Sequence, residues 1–366
     1  MRNLLLVLLL LPMLPFSPGT SEIEEETARQ TGVYQVEEGL SEEERELSGE
    51  LCLDGSYDAR EALGRIWDRL IQAVKQRLAQ DLGFALKLVL IALTCSLCTV
   101  LCPGEGSARW LDLAACCAAI LLLAGSVDGL TVQAEETLER LHDYALAAFP
   151  AFFTTVAACG SAASASVRYA SVCFAAELFM RLSRDLVLPL IEAYLAVTIS
   201  SALFDNPLLQ AASRIAKWCA CTLMSLLTLG FCTYIGLSGV ISGSADAVAV
   251  KAAKSLLSTT LPVVGGILSD SASGMLAAAS LIKNSAGVFC LIAVCTICVV
   301  PFATLAVKLL VFKAAAALSS MGGSERYCRL IKCFGSSFGM LLGLVGSFGF
   351  MLFFSFLSGI RATNPV

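Results

Sequence analysis

The sequence predicts an all-α fold: a polytopic integral membrane helical bundle of about six to eight spans after an N-terminal signal peptide. Three observations predict it. Hydrophobic residues make up 57% of the 366 residues and charged residues only 15%, and the mean hydropathy is +0.77. Soluble domains carry about a quarter charged residues. The apolar residues fall in runs near the ~20 residues that a helix needs to cross a ~30 Å hydrocarbon core. The charge is also segregated, with residues 20–61 holding 14 acidic and 3 basic side chains of a chain whose net charge is -5. This composition excludes disorder, a basic nucleic-acid-binding protein and an ordinary cytosolic enzyme.

Residues 1–21 have signal-peptide architecture. Arg2 precedes the apolar run Leu4–Leu11, and Pro12, Pro15 and Pro18 lead into small residues at Gly19, Thr20 and Ser21. Residues 22–62 form an acidic segment expected outside the cytoplasm, because its carboxylates are costly neighbours for anionic lipid. Within it, Ser41-x-x-Glu44 matches a capping box. Residues 63–85 read as an amphipathic helix, with Leu63, Ile66, Leu70, Val74 and Leu78 recurring every three or four positions.

A first group of membrane helices is expected over 86–204. Runs at 86–102 and 110–127 are separated by a turn at Pro103, Gly104 and Gly106, and further runs cover 144–165 and 186–204. The acidic stretch 128–143 is expected as an outer loop, and Arg168, Arg181 and Arg184 on the inner face with 169–183 left as an amphipathic approach. Residues 205–240 contain another membrane helix. Residues 241–284 are a Gly- and Pro-containing polar or re-entrant segment, 285–359 the C-terminal membrane helices, and 360–366 a tail. At Pro301 the runs 285–301 and 303–320 fit a hairpin or one kinked helix, and the charge of the loop that follows favours the hairpin. That places Lys251, Lys254 and Lys283 on the same inner side as Arg326, Arg329 and Lys332, and the C-terminus outside.

Two sets of residues stand out as candidate sites. Gly335, Gly339, Gly343 and Ser347 repeat every fourth position, a pattern that lets helices approach closely in lipid, where apolar burial drives little association. Asp246, Lys251, Lys254, Pro262, Gly265, Gly266, Asp270, Lys283 and Asn284 interrupt the apolar pattern. They fit a polar path or a partner-binding segment, with Pro262 and the glycines shaping a break in the helix. A cytoplasmic loop with short amphipathic helices fits the same stretch.

No catalytic, metal or cofactor site is expected. Cys95-x-x-Cys98 and Cys295-x-x-Cys298 have ligand spacing, but they lie inside apolar runs without a polar shell, and His142 is the sole histidine among 16 cysteines and no P-loop or G-x-S-x-G. Cysteine as a small buried hydrophobe accounts for them.

The runs Gly239–Asp246, Leu261–Asp270 and Leu281–Asn284 resemble the signature of the stage III sporulation protein AE family. The signal-like start, Val33-Tyr34 and Leu47-Ser48-Gly49 in the acidic segment, and the multi-span body are also similar to it. The resemblance implies a membrane subunit of a channel or secretion-like complex between mother cell and forespore, needed for endospore development and late forespore gene expression. It implies residence in the mother-cell membrane around the forespore, with the acidic segment in the intermembrane space. Implied partners are the other stage III A-operon proteins, including an ATPase, and indirectly stage II sporulation protein Q. The broken apolar runs alone also fit a stand-alone small-molecule transporter or permease.

Overall fold

The structure, a computed structural model, describes residues 35–49, 59–101, 105–159, 162–204, 206–260, 265–320 and 324–361, without the side chains of residues 124–128, 238–278 and a few isolated positions. The expected signal peptide, much of the acidic segment and Pro262 lie outside the described residues. Among the described residues there is no strand. Two short helices, α1 (Gln35–Glu38) and α2 (Glu42–Ser48), precede six long rods. These are α3 (Ala59–Leu101), α4 (Glu105–Ala158), α5 (Ala162–Leu182) continued through a π-turn at Ser183–Val187 into α6 (Leu188–Phe204), α7 (Pro207–Thr260), α8 (Gly265–Ser319) and α9 (Glu325–Arg361).

Side-chain contacts give the direction of each rod. At one end, the Tyr327 hydroxyl of α9 donates to the Leu88 carbonyl of α3 at 2.6 Å, and Cys95 of α3 meets Asp112 of α4. At the other end, Phe149 and Phe152 of α4 pack against Phe356 of α9. The α5/α6 rod reaches α9 through Arg168 at Ser358 and through Tyr194 at Cys333, so it runs antiparallel to α9. The rods therefore alternate up and down. The α3–α4, α6–α7 and α8–α9 connections share one end, and the start of α3 and the end of α9 share the other.

Five stretches are long and apolar enough to cross a membrane: Arg60–Leu101, Ser164–Phe204, Pro207–Leu237, Ala279–Ser319 and Glu325–Arg361. With α4 as the sixth rod, this agrees with a helical membrane bundle at the lower end of the expected count. The rods are far longer than a bilayer is thick. α4 and α7 have 54 residues each, about 81 Å at 1.5 Å per residue, so part of each lies outside a ~30 Å core.

The continuous rods correct three expectations. Residues 128–143 are not a loop but the middle of α4. The stretch holds three Glu and three Leu, good helix formers, and Glu135, Glu139, Arg140 and His142 find partners on neighbouring elements. Arg184, expected on the opposite face from these acids, bonds Glu135 at 2.9 Å and also Glu139. Residues 169–182 belong to α5, and Ser183 opens the π-turn. At Pro301 there is no hairpin, because α8 runs through it. A turn needs polar or Gly-rich backbone beyond a single proline, and the flanking residues are Val300 and Phe302. Thr296 and Thr304 donate to the carbonyls of Ile292 and Val300, while the carbonyl that Pro301 leaves without an intrahelical donor is that of Ile297. Lys283 and Arg326 consequently lie at opposite ends of the α8–α9 pair, since residues 283 to 319 span about 54 Å of helix.

The core is the α8–α9 pair with α3 and α4 against it. In Ala279–Ser319, 72% of the most apolar window is buried, against 11% in Arg60–Leu101. α8 and α9 are thus the protein-facing centre. The outer rods present Leu86, Leu90, Leu97 and Trp218 outward, as lipid-facing helices do.

Candidate functional site

The matching end of α9 gathers the most unusual polar chemistry. A helix leaves its last four carbonyls without intrahelical donors. Here two other rods supply them. Lys283 Nζ, fully buried on α8, donates to the Ile360 carbonyl at 2.9 Å. Arg168 Nη1, buried on α5, donates to the Ser358 carbonyl at 2.9 Å and to the Ser358 hydroxyl. Basic side chains also suit the partial negative charge of a helix C-terminus. The approach is close: a Cβ on Gly287 would collide with Ile360, and one on Gly359 with Phe152. Glycine is what lets α8, α9 and α4 meet at this cap.

A second polar layer ties the head to the rods. Ser41 caps α2, and the Glu44 carboxylate returns a bond from the Ser41 amide at 2.8 Å, completing the expected capping box. The same carboxylate accepts from Arg140 of α4, while Glu43 accepts from Arg69 of α3. His142 lies in α4 with Nε2 3.4 Å from Glu177 of α5, which also accepts from Arg181. Glu177 and Arg181 lie within the span Ser164–Phe204, and the His142 ring is 6.5 Å from that of Phe348 in α9, so these charges are held by partners at the level of the apolar rods.

A third feature is a groove of about 890 Å³ between α7, α8 and α9. Gly339, Gly343 and Ser347 form part of its wall, with Lys217 of α7 and Lys313 of α8 also lining it. Gly335 and Gly339 face Phe312 and Leu309 of α8, and a Cβ on Gly343 would lie 3.0 Å from Met224 of α7.

The structure distributes the other candidate residues along the α7–α8 connection. Asp246, Lys251 and Lys254 lie on the last part of α7, Gly265 and Gly266 begin α8, and Asp270 follows in its early turns. Their side chains, and Pro262 altogether, lie outside the described residues. Lys283 is buried at the cap, and its neighbour Asn284 is half-buried. Sequence reasoning missed the pairing of Lys283 with the α9 terminus, and it missed Arg168, Lys217 and Lys313 as site residues. The available signal was their isolation within apolar helices, where a basic residue needs a partner or a polar cavity. Cys95 and Cys98 sit in α3 and Cys295 and Cys298 in α8; among the described residues no group of three or more His, Cys, Asp or Glu side chains is arranged to hold a metal.

Long apolar rods, a buried two-helix centre and charges paired between rods define a polytopic α-helical membrane protein. The family described as Stage III sporulation protein AE matches residues 53–362. The chain belongs to this family, and a role in sporulation follows from it. A curated relative, Stage III sporulation protein AE of Bacillus subtilis (strain 168), is 24% identical over 207 residues, covering 56% of this chain and 51% of the relative. The chain thus spans about half the length of the curated relative it matches. No solved structure matches the chain.

Proposed function

We propose that this protein is a non-enzymatic membrane subunit of the channel or secretion-like complex between mother cell and forespore, required for endospore development and late forespore gene expression. Family membership supports the sporulation setting. The observation that carries the structural half is the alternating six-rod bundle, with its head and its α9 terminus at one end. Its partners are the other stage III A-operon proteins, including an ATPase, and indirectly stage II sporulation protein Q. The protein sits in the mother-cell membrane with the acidic head in the intermembrane space. The count of basic residues favours that orientation by a small margin: the three connections at the opposite end are flanked by Arg109, Arg214, Lys217, Arg326, Arg329 and Lys332, and the two at the head end by Arg168, Lys251, Lys254 and Lys283, and cytoplasmic ends of spans are enriched in Lys and Arg.

Purification of the full chain from sporulating cells in gentle detergent tests this reading. The expected result is co-elution with an ATPase and further small membrane proteins. Recovery of the chain by itself, together with thermal stabilisation by a small-molecule substrate, would instead establish a stand-alone permease.

A further inference from the structure

We propose that the groove between α7, α8 and α9 is a binding site for one anionic phospholipid. Its headgroup phosphate sits between Lys217 and Lys313, and its acyl chains lie along Gly339, Gly343 and Ser347.

The charge at one end of the groove suits an anion. Lys217 Nζ reaches across from α7 to the Ser336 hydroxyl of α9 at 3.0 Å, and Lys313 enters from α8. Among the described residues, no carboxylate lies within ion-pair distance of either lysine, and no acidic residue lines the groove. Two cations facing one apolar cleft without a counter-charge are costly in a membrane setting. An incoming phosphate would neutralise both and take hydrogen bonds from the two lysines, while the Ser336 hydroxyl, which donates to the Lys332 carbonyl, holds Lys217 in place.

The shape of the remainder selects a lipid. From Ser336 to Phe354, near the far end, α9 rises about 27 Å, close to the ~30 Å hydrocarbon thickness. Ser336 to Ser347 is about 16 Å, roughly one leaflet. The small residues therefore fall where acyl chains from the lysine end would lie, and the floor deepens there because Gly339 and Gly343 lack side chains. A helix from another protein does not fit as well. An apolar helix would bring no charge to the lysines, whereas a phospholipid brings an anion to them and flexible chains to the floor of the groove.

The purified chain in nanodiscs, with phosphatidylglycerol and phosphatidylcholine supplied together, tests the proposal by native mass spectrometry of retained lipid. The wild-type chain is expected to retain phosphatidylglycerol preferentially. Replacing one lysine, K217Q or K313Q, is expected to weaken that preference about fivefold, since each basic residue at an anionic lipid surface contributes about that much. R214Q, one turn of α7 away on an exposed position, should leave it nearly intact. No preference in the wild type, or an equal preference in K217Q/K313Q, would overturn the site. The wild-type competition does not depend on any variant folding. In cells, a photo-crosslinking side chain at Ser225, on the α7 wall of the groove, should yield a phosphorus-containing lipid adduct. A protein adduct at that position would show that the groove is a subunit interface and sink the lipid assignment.

Discussion

Lys283 of α8 and Ile360 of α9 are 77 positions apart in sequence, yet the lysine side chain donates to the Ile360 carbonyl at 2.9 Å. The contact joins the start of the apolar part of α8 to the end of the last helix. Arg168 makes the equivalent bond to Ser358 from α5. Three rods are thereby tied at one level, and the last turn of α9 is held by side chains of other rods. This arrangement explains a fully buried lysine in a chain with few charges: it satisfies a carbonyl that the helix geometry leaves open.

Lys283→Met retains length and apolar volume but removes the donor. It leaves the Ile360 carbonyl without that bond, and an unsatisfied buried acceptor costs about 1–3 kcal/mol. Thermal unfolding of the purified chain in detergent should therefore start at a lower temperature, with α9 fraying first in hydrogen exchange. Wild-type exchange rates over residues 356–361 in K283M would show that the bond contributes nothing.

Gly287 and Gly83 should respond to substitution in opposite directions. A Cβ at Gly287 collides with the Ile360 side chain, so Gly287→Val should destabilise by the ~1–3 kcal/mol typical of overpacking, with partial rescue by Ile360→Ala. Gly83 lies inside α3 with nothing within 4 Å of a built Cβ. Gly83→Ala should raise stability by about 0.5–1 kcal/mol, the helix-interior cost of glycine. Paired melting curves of the two variants check the contrast; a stabilised Gly287→Val would refute the close approach.

The capping box at Ser41 and Glu44 was legible in the sequence because its four residues are local and its chemistry is fixed by type. The helical membrane class was legible for a similar reason, since composition and run length suffice. Rod boundaries were not. Glu135, Glu139 and Arg184 read as loop charges on opposite faces, yet they neutralise one another across two helices. Hydropathy registers the cost of a charge without registering a partner 45 or 49 residues away. Pro301 misled for the complementary reason: proline marks a possible break, and the rods packed against α8, above all α3 and α9, are distant in sequence. The repeat at Gly335, Gly339 and Gly343 was visible as a small-residue face, but which helices it faced, and that part of it lines a groove with Lys217 and Lys313, required the packing of three rods.

The Glu44–Arg140 contact should govern local docking of the head more than overall stability. The Arg140 side chain is 42% exposed and that of Glu44 16%, so the coupling in a double-mutant cycle is expected below ~1 kcal/mol and to shrink as salt is raised. Arg140→Ala should speed protease cleavage around α2 while barely moving the unfolding midpoint. A large global loss would mean that the head is part of the cooperative core.

The uninterrupted course of α8 through Pro301 makes a topological prediction that separates it from a hairpin. In a chain cleared of its native cysteines, single cysteines would be placed at Glu46 of α2, Glu325 at the start of α9 and Arg361 at its end. Glu46 belongs to the head, which docks on the upper part of α3 and α4 through Glu43 and Glu44. Arg361 follows the cap at Ile360, and Glu325 opens the same helix 36 residues earlier, about 54 Å away. A membrane-impermeant thiol reagent added to one side of sealed vesicles should label Glu46→Cys and Arg361→Cys together and Glu325→Cys only from the other side. The hairpin favoured by the sequence would leave these three sites where they are but put the end of α7 on the Glu325 side, whereas the continuous α8 puts it at the Arg361 end, so a fourth variant, Lys254→Cys, should label together with Glu46→Cys. Labelling of Lys254→Cys together with Glu325→Cys would therefore refute the six-rod arrangement, and with it the sidedness of the cap.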